Sequence, residues 1–244
     1  MPARPTALVT GSTSGIGAAL ARRLAADGMH VVVHSRHSAA EGERLAEELG
    51  GSYLRADLED LAGTQRAVED ALAELGRLDV LVNNAAVSWP IPHDDLAAAG
   101  PEVWQQVLTV NLVAPWVITT VATPYLRRSE RAGGGCVVNV TSHAGVRPKG
   151  SSVPYAASKA ALNHVTRTLA VALGPDVRVN AVAPGLVDTP MTADWTDAQE
   201  LWSTRAPMRR SATPDDVAHV VAALVDSAYL TGEVVVVDGG LNLT

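Results

Sequence analysis

The sequence predicts an α/β fold, a doubly wound parallel sheet of seven strands with helices on both faces. Short apolar runs alternate with longer stretches of helical pattern, the rhythm of successive βαβ units. A glycine-rich turn follows the first run and opens a helix, and no Pro/Ser-rich linker or internal repeat breaks the alternation. Strands are expected at residues 7–9, 31–34, 53–55, 80–82, 137–140, 177–182 and 234–237. Between them, residues 18–27 read as the first helix, and residues 103–128 and 154–173 as two long ones. Residues 191–210 show no strong periodicity, and a helix restarts at Thr213-Pro214, a hydroxyl cap followed by proline at the first helical position. The expected organisation is one domain over residues 1–244, with 189–213 as a segment covering a substrate.

Composition narrows the function classes. A chain of 244 residues, 47% hydrophobic, can bury a large core. The net charge of -7 offers no basic field for nucleic acid or an anionic membrane. Cys136, the single cysteine, falls in an expected buried strand and cannot form an intrachain disulfide, which fits a reducing, cytoplasmic setting. Residues 1–5 are too short and polar for a signal peptide, and no apolar run is expected to reach membrane-span length. No metal site is expected.

Two motifs carry chemistry. In Thr10-Gly11-Ser12-Thr13-Ser14-Gly15-Ile16-Gly17 the glycines let the backbone turn tightly and approach a pyrophosphate, and the helix that follows presents free N–H groups. In Tyr155-Ala156-Ala157-Ser158-Lys159 a spacing of four sets a phenol and an ammonium on one helix face. A cation within about 4–6 Å favours the phenolate by roughly one to three pK units, so such a tyrosine can exchange a proton near neutrality.

With Thr10 to Gly17, Asn83-Asn84-Ala85-Ala86, Asn111, Ser142, Tyr155, Lys159 and Pro184-Gly185, the chain resembles the short-chain dehydrogenase/reductase family over nearly its full length, in particular its 3-oxoacyl reductase-like members. Ala86 departs from the family's usual glycine. The resemblance implies a Rossmann fold, a nicotinamide cofactor at the sheet edge, and hydride transfer to or from a carbonyl carbon. It assigns the glycine turn (Gly11, Thr13, Ser14, Gly15, Ile16 and Gly17) to the cofactor. It sets Asp57 and Leu58 at the adenine, Asn83 at one wall of the nucleotide groove, and Pro184, Gly185, Val187 and Thr189 at the carboxamide. Asp57 could equally cap the helix opening near Asp60.

At the end of the second strand, where a carboxylate would hold an unphosphorylated ribose, stands Ser35, followed by Arg36. A guanidinium suits a 2′-phosphate, so NADP(H) is favoured over NAD(H). Ser14 occupies a place where NADP-preferring relatives often carry a second basic group, and Arg36 could also be an ordinary solvated charge.

The resemblance makes Tyr155 the general acid in reduction and Lys159 the group that lowers its pKa and holds the nicotinamide ribose. Ser142, thirteen residues before Tyr155, would bond the substrate oxygen, with Thr141 the neighbouring hydroxyl. Asn111 would hold a relay water through its carbonyl. Pro115, four residues later, has no N–H to donate to that carbonyl.

The substrate is a small carbonyl compound or alcohol, with a ketone or 3-oxoacyl thioester expected and a sugar, polyol or pteridine as alternatives. Against a pteridine, Gly15 and Ser142 stand where those relatives carry arginine and aspartate. Met191, Trp195, Trp202, Met208 and Trp89 could line an apolar pocket or serve core and interface. Arg205, Arg209 and Arg210 could meet an acyl carrier's phosphate or be solvated. A dinucleotide sensor without catalysis is the reading from another class, and it should lack part of the proton-handling group. Relatives pair the helices at residues 103–128 and 154–173 into dimers and tetramers, so a homotetramer is expected, with the last strand and residues 241–244 in the second interface.

Overall fold

The computed structural model describes residues 4–244, so the first three positions of the amino-terminal stretch lie outside the described residues. All seven expected strands form, as β1 (Thr6–Val9), β2 (His30–Ser35), β3 (Ser52–Arg55), β4 (Val80–Asn83), β5 (Gly135–Val140), β6 (Val177–Pro184) and β7 (Val234–Val237). They pair in parallel throughout, in the order β3-β2-β1-β4-β5-β6-β7. The chain reverses its direction of travel across the sheet between β1 and β4. A crevice opens at the carboxyl ends of such strands.

Alternation along the strands sorts the core into two layers. Ala7, Val9, Val31, Val33, Val80, Val82, Cys136 and Val138 face one cluster. Leu8, Val32, Leu81 and Val137, the residues between them, face the other. The first layer is covered by α1 (Gly15–Ala26), α2 (Ala39–Leu49) and α8 (Pro214–Asp226), through side chains such as Leu20, Leu45 and Val221. The second is covered by α3 (Leu61–Leu75), α5 (Ala114–Leu126) and α6 (Val153–Leu173), through Leu72, Ile118 and Leu169. Cys136 is buried in the first layer, and burial pushes its thiol up to about 11.

Three local features depart from the sequence expectations. The helix over residues 103–128 begins earlier, as α4 (Pro101–Leu108), and passes through one wide π-turn at Thr109–Val113 before α5. Ala114 N–H reaches back to the Thr109 carbonyl, and Pro115 has no N–H to offer the next. The composite helix Pro101–Leu126 is also long and apolar enough to cross a membrane, which corrects the expectation that no run reaches that length. Here Val110, Ala114, Ile118, Ala122 and Leu126 line one face and pack into the second core layer.

The third departure is α7 (Thr196–Arg205), inside the stretch without periodicity. It buries only Trp202, so no repeating apolar face announces it. The expected restart at Thr213 is a full capping box, in which the Thr213 hydroxyl accepts from Asp216 N–H and the Asp216 carboxylate accepts from Thr213 N–H.

Candidate active site

A cavity of about 1060 Å³ lies along the carboxyl ends of β1, β2, β4, β5 and β6. At one end the glycine turn is held by its neighbours. Gly15 takes φ +52°, which side chains disfavour, and a Cβ on Gly17 would stand 2.1 Å from the Gly11 carbonyl oxygen. Gly11 N–H donates to His34 Nδ1 at 3.0 Å, and the Asn84 amide donates to the Thr10 and Gly11 carbonyls. Burial lowers His34 to about 4, so its ring stays neutral and able to accept. Ser14, the N-cap of α1, is extended and makes no side-chain capping bond, so the first N–H groups of α1 have no side-chain partner there. An anion would complete them, and on that ground the turn fits a dinucleotide's pyrophosphate.

Thr13, Ile16, Ser35, Arg36, Asp57 and Leu58 all line this half of the cavity. The Ser35 hydroxyl hydrogen-bonds the Tyr53 hydroxyl at 2.9 Å. Arg36, about two-fifths exposed, donates to Glu59 at 2.6 Å and lies 3.5 Å from Asp57. The hydrogen bond to Glu59, above all, raises its pKa. The Asp57 carboxylate accepts from Glu59 N–H, while Asp60 is the residue that caps α3 through Gly63 N–H. Asp57 as a helix cap is therefore corrected.

Asn83 does not line the cavity. Its amide donates to Thr119 and Asn139, and Asn139 donates to Thr166, a buried polar ladder tying β4 and β5 to α5 and α6. Its neighbour Asn84 faces the cavity instead, because successive residues leave a strand on opposite sides.

In the other half, Ser142, Tyr155 and Lys159 converge. Ser142 lies two residues beyond β5 and accepts from Ala144 N–H at 3.1 Å, opening a 3-10 turn at His143–Gly145. That turn rests on α6 through Gly145, where a Cβ would stand 2.7 Å from Lys159 backbone, and the Asn163 amide donates to the Gly145 carbonyl. Thr141 also lines the cavity, but its hydroxyl donates to the Val182 carbonyl at 3.1 Å.

Lys159 Nζ is 5.7 Å from the centre of the Tyr155 ring and donates to the Val140 carbonyl at 3.0 Å. Burial brings the ammonium down to about 8. Burial also raises the Tyr155 phenol above its ordinary value, opposed by a hydrogen bond with Ser142. The expected lowering of Tyr155 by Lys159 is therefore corrected: desolvation sets the direction of its shift, and only the Ser142 hydrogen bond opposes it.

Asn111, fully buried, does not reach the cavity. Its side chain brackets Val87, accepting from the N–H and donating to the carbonyl at 2.9 Å each, and it also donates to Ser158. Ser158 in turn donates to the Tyr155 carbonyl. The side chain thus fixes the loop after β4 against the helix bearing Tyr155.

After β6, Pro184, Gly185, Val187 and Thr189 line the cavity, and Gly185 packs where a Cβ would meet Trp202 at 2.9 Å. Met191, Trp195, Trp202 and Arg205 also line it. Met208 and Trp89 do not, and Trp89 donates its N–H to Gln106. Arg210 pairs with Asp216, and Arg209 donates to the Thr204 carbonyl, so neither stands at the cavity.

Several cavity-side features escaped the sequence. His34, Glu59 and His143 owe their positions to contacts between distant segments. His143 neighbours Asp238 at 3.5 Å and meets Trp202 edge-on with ring centres 6.0 Å apart. Asn84 alone had a signal, standing beside Asn83 in the quoted motif.

Comparison with known proteins gives a family model described as "Enoyl-(Acyl carrier protein) reductase", which matches residues 11–242. A Streptomyces violaceoruber protein named as ketoacyl reductase 2 of the granaticin polyketide synthase is 50% identical, over 99% of this chain and 98% of its own. Among solved structures, the 3-ketoacyl-(acyl-carrier-protein) reductase from Brucella melitensis, complexed with NADH, superposes with a TM-score of 0.86 at 31% identity, covering 97% of this chain and 98% of that one. A blue fluorescent protein from a metagenomic library, in complex with NADPH, gives 0.88 at 35% identity and 97% of each chain.

Proposed function

Since the chain belongs to the short-chain dehydrogenase/reductase family, oxidoreductases acting on CH–OH or C=O groups, we propose that it is an NADP(H)-dependent reductase of ketones or 3-oxoacyl thioesters. The observation that carries this reading is the meeting of Ser142, Tyr155 and Lys159 in the cavity that also holds the uncapped glycine turn. A relative named for ketoacyl reduction at 50% identity supports the substrate class.

The bound nicotinamide supplies the hydride; the protein's own residues handle position and protons. Gly11, Thr13, Ser14, Gly15, Ile16 and Gly17 hold the pyrophosphate with backbone N–H groups. Asp57 and Leu58 meet the adenine, and Pro184, Gly185, Val187 and Thr189 the carboxamide. Arg36 selects the 2′-phosphate by exchanging Glu59 for it. NADH in one related structure and NADPH in another leave the family open to both, and the absence of a carboxylate at Ser35 favours NADPH here.

Ser142 donates to the substrate oxygen as negative charge develops, and Tyr155 delivers the proton. A phenol held above its ordinary pKa is protonated at neutral pH, the form that reduction needs. Lys159 would hold the nicotinamide ribose hydroxyls, and its ammonium keeps a proton source beside Tyr155. Asn111 serves through its backbone: Pro115 cannot donate to its carbonyl, which suits it to carry a relay water. Asn83 acts through the buried ladder, as scaffold for the groove.

The chain acts as one domain, and the segment 189–213, with α7, covers the substrate. Val113, Trp116, Val153 and Val171 are exposed apolar residues on or beside the two long helices, in keeping with a cytoplasmic homotetramer paired through them. Gly15 at φ +52° and Ser142 weigh against a pteridine reductase, and the complete Ser142, Tyr155 and Lys159 group weighs against a sensor.

The test is oxidation of NADPH, and in parallel NADH, with 3-oxoacyl thioesters, cyclic ketones, sugars and pterins, and Tyr155→Phe as control. Turnover of ketones or 3-oxoacyl thioesters that the substitution lowers by about 10²-fold or more is expected. A loss of less than tenfold in Tyr155→Phe, or tight nucleotide binding with no turnover, would sink the reading.

A further inference from the structure

The cavity reverses the charge balance of the chain. The sequence holds 19 Lys and Arg against 26 Asp and Glu. Of these, the cavity is lined by Arg36, Arg147, Lys149, Lys159 and Arg205 but by only one carboxylate, Asp57. Arg36 and Asp57 sit together at the end of β2 and β3, and Lys159 stands beside Tyr155. Three cations remain, and none has a part in the function proposed above.

These three are exposed and, among the described residues, form no ion pair with a carboxylate, as is also true of several arginines away from the cavity. Arg22, Arg23, Arg36, Arg77, Arg127, Arg131 and Arg210 each lie within 4.0 Å of a carboxylate. Arg147 is held in place by Asn242, donating to its side-chain and backbone oxygens, both neutral, so its position is fixed while its charge stays uncompensated.

Their field reaches the catalytic half. The pKa of His143, adjacent to Ser142, is lowered chiefly by burial; Asp238 opposes that, and Arg147 and Lys149 push it further down. Beside the cations, the wall is apolar: Trp195, Ala198, Leu201, Trp202 and Leu241 pack as one small cluster and line the same cavity. An apolar wall with unpaired cations near it complements a molecule of mixed character, apolar in its frame and anionic at one end.

We propose that Arg147, Lys149 and Arg205 form an anion-binding subsite, so that the substrate is a carbonyl compound with an apolar frame and a carboxylate or phosphate group. This rests on the reductase reading and narrows its substrate class. Two matched pairs separate the sources of the anion: a cyclic keto acid against its methyl ester, and a 3-oxoacyl coenzyme A against the neutral N-acetylcysteamine thioester of the same acyl group.

At low salt, kcat/KM for the anionic member of one pair should exceed that of its neutral partner by about tenfold, chiefly through KM. The pair that responds identifies carboxylate or phosphate. The preference should shrink between 0.05 and 1 M salt, where the screening length falls to roughly 3 Å. Arg147→Gln, Lys149→Gln and Arg205→Gln, each checked for an unchanged melting temperature, should each lower the anionic-to-neutral ratio. Neutral members reduced as well as anionic ones in both pairs, or ratios that ignore salt and substitution, would overturn the subsite while leaving the reductase standing. No turnover of any of the four, with either nucleotide, would remove both.

Discussion

At one end of the cavity Arg36 is about two-fifths exposed and meets two carboxylates; at the other Lys159 is 2% exposed and meets only the carbonyl of Val140. The first charge is solvated and locally neutralised, so exchanging a partner there costs little. The second is desolvated without a counter-charge, and burial has already brought it to about 8. Buried, unpaired charge is stored strain that a ligand can relieve, and its neighbours feel every change in it. Changes at the Lys159 end should therefore alter rates by orders of magnitude, and changes at the Arg36 end only by factors.

The largest effect expected is that of Tyr155→Phe. It removes the proton donor and should lower kcat for carbonyl reduction by about 10²–10⁴-fold in steady-state assays. A loss of less than tenfold would erase the contrast between the two ends.

Lys159→Met should follow, with activity falling by about 10²-fold or more while the ligand-free protein gains stability at pH 7. The sign follows from linkage. A lysine near 8 when folded and 10.5 when unfolded binds its proton more weakly in the fold, so it destabilises the protein fully below pH 8 and progressively less as pH rises toward 10.5. The shift from 10.5 to about 8 amounts to about 3 kcal/mol. Thermal melts should show the variant's advantage at pH 7 shrinking by pH 10; an advantage independent of pH would mean that the charge is not what the fold pays for.

Glu59→Gln tests the exposed end. Arg36 would lose its closest carboxylate and be freer to take a 2′-phosphate, and exposed pairs are worth about 0.2–1 kcal/mol, so the preference for NADPH over NADH should rise by roughly two- to fivefold. A fall in that preference would show that Glu59 aims Arg36 rather than competing for it.

The smallest effect concerns His34. Its pKa of about 4 keeps the ring neutral, and its stabilising contribution, complete above 6.5, is lost as pH falls through 4. Nδ1 then carries a proton and can no longer accept from Gly11 N–H. Nucleotide affinity, titrated by fluorescence, should weaken about twofold between pH 6.5 and 4 in the wild type, with little change above pH 5. The same slope in His34→Leu would assign it to another group.

The same contrast explains what the sequence disclosed. Tyr155 and Lys159 were legible because four residues of helix place them, and Ser142 because a strand end does. The parallel strands were legible as apolar runs, since both faces are buried. Glu59 and His143 could not be read, because their partners Arg36 and Asp238 lie 23 and 95 residues away in the chain and only the fold brings them together. Asn83 was misplaced into the groove because a strand's last residue can face either side, and only the register of β4 on β5, Asn83 opposite Asn139, decides. Helix α7 stayed hidden because a helix that buries one tryptophan has no period.

The wide turn at Thr109–Val113 sets a rotational phase. Each residue of an α-helix advances the winding by about 100°, so one extra residue spliced into a turn re-aims everything before it relative to everything after. Downstream, α5 keeps its apolar face on the sheet; upstream, α4 is turned so that Gln106 reaches Glu59 on one side and Trp89 on the other. Deleting a single residue here would keep the helix unbroken and would swing α4 through about a quarter-turn, parting the Gln106 contacts that join the loop after β4 to the carboxylate beside Arg36.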